Sequence, residues 1–88
     1  MEEVKIAMVN GASTALRYKR ENPSASNEEI SQYVMRKAKG TGAEKVATMV
    51  GASKALGMVD KNPSVTEREI IKNIVESGDE ILKNMMED

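Results

Sequence analysis

The sequence predicts an all-α domain: four to five short helices from a tandem duplicated helix-turn-helix unit, closed as a compact pseudo-twofold bundle. Three observations carry that reading. Residues 5–36 and 45–76 align without a gap at an offset of 40, and twelve of the 32 aligned pairs are identical. Within both copies, apolar residues recur at helical spacing. Both copies also carry the same punctuation, an Asn-Pro-Ser stop followed by a Ser/Thr-x-x-Glu start. A period of this length lies in the range of helical repeats. Arrays of such repeats usually need three or more units, so two units are expected to close on each other instead. The expected organisation is a single domain with repeats at 1–40 and 41–76 and a C-terminal half-repeat at 77–88.

The first helix is expected over 2–21. Val4, Met8, Gly11, Ala15 and Tyr18 form its inner stripe, widened by Ile6, Val9, Ala12 and Leu16. Glu2 and Glu3 suit the positive end of the helix dipole, and Arg17, Lys19 and Arg20 suit the negative end. Asn22-Pro23 stops it, with Asn22 expected in a left-handed cap, because proline cannot continue the backbone ladder. Ser26 and Glu29 form a capping box that opens a second helix at roughly 27–38, with Ile30, Tyr33, Val34 and Met35 facing inward. Lys39-Gly40 ends it.

Thr41 and Glu44 form the next capping box, and a third helix runs to about Asp60. Val46, Met49, Val50, Ala52, Leu56 and Val59 are its apolar residues. Asn62-Pro63 repeats the earlier stop, and Thr66 with Glu69 starts a fourth helix with Ile70, Ile71, Ile74 and Val75 inside. Ser77-Gly78-Asp79-Glu80 reads as a fourth capping box, which predicts a break and a fifth, partial helix. The rival reading is one helix from 67 to 86, supported by Ile70, Ile74, Ile81 and Met85 near one face.

Gly11 and Gly51 each cost roughly 1 kcal/mol relative to alanine in a helix interior. Gly-x-x-x-Ala makes a flat patch that a second helix backbone can approach closely. The expectation is that Gly11 and Ala15 of one helix cross Gly51 and Ala55 of another. Ser13 and Ser53, beside those glycines, read as small packing residues. The alternative is that the patch receives a partner helix or a ligand.

Composition narrows the chemistry. The 88 residues contain no His and no Cys. That removes the common zinc sites, the Ser-His-Asp and Cys-His nucleophile arrangements, and the side chain that titrates near neutral pH. Neighbouring carboxylates at 28–29, 79–80 and 87–88 do not share a helix face and read as caps or solvated charge. Gly40-Thr41-Gly42 at a helix start could hold an anion, but no phosphate-binding loop motif is present. No enzyme, cofactor or metal role is expected. Neither a membrane-length apolar run nor a signal-peptide pattern occurs, so a cytoplasmic location is the expectation.

Two partner classes are left. The first is a protein partner or a second copy of the chain, engaged by a non-enzymatic interaction or assembly module. Gly11, Ala15, Gly51, Ala55, Met85 and Met86 are the candidate contact residues. The second is nucleic acid. Net charge is −1 overall, but residues 1–40 carry a net +2 and residues 41–88 a net −3. Arg17, Lys19, Arg20, Arg36, Lys37 and Lys39 would contact phosphates, with Tyr18 or Tyr33 available for stacking. These cations cluster at the C-terminal ends of the first two helices, which lie at opposite poles of a helical hairpin. One continuous stripe is therefore not expected.

Overall fold

The computed structural model describes residues 2–86. Among them run four helices and no strand: α1 (Glu2–Glu21), α2 (Asn27–Lys37), α3 (Gly42–Lys61) and α4 (Glu67–Met86). The side chains of residue 2 and of residues 79, 81, 82 and 84–86 lie outside the description.

Local chemistry sets the starts. Glu29 and Ser26 form a reciprocal box: the Glu29 amide donates to Ser26 Oγ at 3.1 Å, and the Ser26 amide donates to Glu29 Oε1 at 3.3 Å. Thr41 and Glu44 repeat this at the head of α3, at 3.2 and 2.9 Å. Thr66 and Glu69 do so before α4, both at 3.1 Å. Each box occupies amides that the first helical turn would otherwise leave without partners.

The stops differ from expectation in one respect. No residue other than glycine takes a positive φ among the described residues, so neither Asn22 nor Asn62 is a left-handed cap. Their side chains and a tight turn do the work. Asn22 Nδ2 donates to the Tyr18 carbonyl, and the Ala25 amide closes a turn onto the Asn22 carbonyl over Pro23-Ser24. After α3, the Ser64 amide bonds Asn62 Oδ1 and the Val65 amide bonds the Asn62 carbonyl.

Nor does α4 break. It passes through Ser77 and Gly78 without interruption. The Ser77 hydroxyl donates to the Asn73 carbonyl at 2.6 Å, one turn back, rather than capping a new helix. Gly78 is buried, and a Cβ there would lie at ordinary contact distances, 3.4–3.8 Å, from the Lys5 stem and the Met8 methyl. The fifth helix is thereby replaced by a longer fourth.

The largest helix–helix contact is α1 on α3. A Cβ at Gly11 would overlap the Thr48 backbone, and one at Gly51 would overlap the Met8 backbone. Both glycines are therefore required by close approach. Around this crossing lie two buried clusters. Val4, Ala7, Met8, Ala12, Leu16, Ala47, Ala55, Ile70 and Ile74 join α1, α3 and α4. Ala15, Ile30, Val34, Ala52 and Leu56 join α1, α2 and α3. The short helix α2 thus packs with α3, and α4 packs chiefly on α1. Two polar contacts follow the same crossover: Arg20 pairs with Glu67 at 3.3 Å, and Asn27 Nδ2 donates to Asp60 Oδ2 at 2.9 Å. Positions 20 and 60, like 27 and 67, are 40 apart.

Candidate functional site

The glycines and alanines of the two Gly-Ala-Ser segments are interior. Gly11, Ala15, Gly51 and Ala55 are all buried in the α1–α3 crossing, so in this fold each patch is covered by the other. Ser13 is half-buried, but Ser53 faces solvent, so the serine in the second copy is not a packing residue. Met85 and Met86 end α4, and their side chains fall outside the described residues.

Four apolar residues expected on inner faces are instead in solvent. Ile6 is 55% exposed, Val46 50%, Met35 61% and Val75 48%. They occur as two pairs at the offset of 40, Ile6 with Val46 and Met35 with Val75. Helical periodicity places them at the edge of each apolar stripe, and only the tertiary arrangement determines which edge is covered.

Ile6 stands on the rim of a groove of about 430 Å³. One wall is α1, through Glu3, Ile6, Asn10 and Thr14. The other is the end of α2 with its linker and the start of α3, through Val34, Lys37, Lys39, Glu44 and Thr48. Its floor follows from a difference between aligned positions. Met8 is fully buried and fills the space between α1 and α4, whereas Thr48, its counterpart in α3, is shorter and turns its hydroxyl back to the Glu44 carbonyl at 2.8 Å.

The cations are divided. Lys37 and Lys39 line this groove, while Lys19 and Arg20 lie beside Val59, Pro63 and Ile70 at the start of α4. Arg20 is engaged by Glu67, and Arg17 and Arg36 are exposed. The two tyrosine rings stack on each other, centroids 4.3 Å apart and planes at 26°, and the Lys37 ammonium lies 5.6 Å from the Tyr33 centroid. One face of each ring is thus already occupied.

At Gly40-Thr41-Gly42 the place for an anion is taken by the chain's own Glu44 carboxylate. The Thr41 amide, then the Thr41 hydroxyl, hold that carboxyl below the usual glutamate range, with burial opposing weakly. Thr66 acts on Glu69 in the same way. Among the described residues no three acidic side chains converge as a metal site, no buried side-chain polar atom lacks a partner, and no helix is long and apolar enough to cross a membrane. What the described surface offers is apolar contact at repeated positions and a shallow mixed-charge groove. No family model, no curated protein and no solved structure matches the chain.

Proposed function

We propose that this chain is a non-enzymatic interaction or assembly module that self-associates, built from a tandemly duplicated helical hairpin closed about a pseudo-twofold axis. The duplication is supported by reciprocity. Gly11 meets Thr48 while Gly51 meets Met8, and Arg20 meets Glu67 while Asp60 meets Asn27. In each case positions 40 apart exchange roles.

The observation that carries the function is the paired exposure of Ile6 with Val46 and of Met35 with Val75. A single exposed aliphatic residue needs no explanation. The same positions held apolar and open in both halves, on a small chain, point to a surface kept for contact. Charged substitution is the test. Ile6→Glu with Val46→Glu should abolish concentration-dependent association in light scattering while leaving the melting temperature within a few degrees, because both sites are solvated. Association that persists unchanged in the double variant would remove this surface from the account.

A further inference from the structure

Each half of the chain completes its core with the other half. Ile30 and Val34 of α2 share a buried cluster with Leu56 of α3, and Ile74 of α4 shares one with Met8 and Leu16 of α1. A single connection joins the halves, residues 38–41 between α2 and α3. Its ends are fixed: the Ala38 amide bonds back to the Val34 and Met35 carbonyls, and Thr41 caps α3. Between them Gly40 holds φ at +100°, the only positive φ among the described residues. The closed chain therefore turns back on itself through one residue, in a conformation that side chains bearing a Cβ disfavour.

We infer that two copies of this chain exchange halves, α1–α2 of one copy packing against α3–α4 of the other with the 38–41 linker opened between them. The exchanged dimer keeps both clusters and both polar crossovers. Only the linker conformation and the concentration set the balance between closed monomer and exchanged dimer. This goes beyond contact through Ile6 and Val46, which stay at the surface in either form.

The chain has no cysteine, so a pair can be introduced where the halves touch. Full-length Asn27→Cys/Asp60→Cys protein, with and without Gly40→Val, is treated with a short bismaleimide, fractionated by size and run on a denaturing gel. The dimer fraction should yield chains linked at twice the monomer mass. Gly40→Val should raise the dimerisation constant about 30- to 900-fold, because the left-handed penalty for a residue with a Cβ is relieved once in each of the two opened linkers. A dimer carrying only links within one chain overturns the exchange and leaves surface association standing. Interchain links in a dimer indifferent to Ile6→Glu/Val46→Glu support the exchange and remove the surface reading. The absence of any dimer up to the solubility limit overturns both. If circular dichroism shows Gly40→Val unfolded, a Gly-Ser-Gly insertion after Gly40 replaces it. That insertion should lower the dimer fraction, and an unchanged fraction overturns the exchange.

Discussion

The first helical pair and the second differ less in their interiors than at their ends. Positions 7, 8, 11, 12, 15, 16, 30 and 34 are buried, and so are 47, 48, 51, 52, 55, 56, 70 and 74. Six of those eight pairs are identical; Val34 with Ile74 and Met8 with Thr48 are the other two. At the ends the halves diverge. α2 stops at Lys37 and the chain turns at Gly40, whereas α4 continues through Ser77 and Gly78 along α1. The one marked interior difference is at positions 8 and 48, where Met8 fills its site and Thr48 leaves a groove. Interior identity follows from a crossing that admits no Cβ. Divergence is tolerated where a helix end or a rim residue can change without moving the crossing, and any individual character of this protein belongs there.

The largest effect is expected at the shared interior. Gly11→Ala or Gly51→Ala should each cost about 3 kcal/mol, because the added Cβ meets backbone that cannot yield without parting α1 from α3. For a domain of this size that corresponds to a fall of roughly 12–24 °C in Tm. Equal losses at the two sites would sharpen the comparison, and a neutral substitution at either would break it.

Next comes the reciprocal exchange at positions 8 and 48. Met8→Thr should cost about 2–4 kcal/mol by opening a void between α1 and α4. Thr48→Met should cost less than about 1 kcal/mol, since the groove beside it has room. Urea titration of both variants measures the asymmetry, and matching losses would mean that the groove is not free space.

Smaller still are the glycines outside the crossing. Gly57 has nothing within 4 Å of a would-be Cβ, and at Gly78 the nearest atoms are 3.4 and 3.8 Å away, ordinary contact distances. Both lie inside helices, so Gly57→Ala and Gly78→Ala should each stabilise by about 0.5–1 kcal/mol. A destabilising Gly78→Ala would show that α4 packs more tightly on α1 than these distances indicate.

The smallest effect is acid dependence. Glu44 and Glu69 are held below the unfolded value of about 4.3 by the Thr41 and Thr66 amides and hydroxyls. A depressed carboxyl contributes stability above its unfolded pKa and loses it as pH falls through the lower folded value. Tm should therefore decline below about pH 4. Glu44→Gln with Glu69→Gln, which keeps a side-chain oxygen for each box, should flatten that decline in a thermal scan.

Much of the fold was legible because its signals are local. The boxes at Ser26, Thr41 and Thr66 involve residues three apart, and Gly11 and Gly51 had a helix cost that only close approach offsets. Ser77-Gly78 misled for the same reason. Its residues suit a cap, but the hydroxyl finds the Asn73 carbonyl within the helix, and the glycine continues the helix buried against α1. The exposure of Ile6, Val46, Met35 and Val75 was not legible, since periodicity gives the width of a stripe and not which edge a neighbour covers. The groove was hidden too, because it depends on Thr48 being shorter than Met8 in three dimensions. The crossover of α2 onto α3 and α4 onto α1 carries no sequence signal beyond the alignment at an offset of 40.

Self-association is the claim on which the functional account rests, and sedimentation equilibrium of the unmodified full chain tests it most directly. The account predicts a weight-average mass that rises reversibly from 9.6 kDa towards twice that value as concentration increases. A mass that stays at the monomer value up to the solubility limit would contradict it.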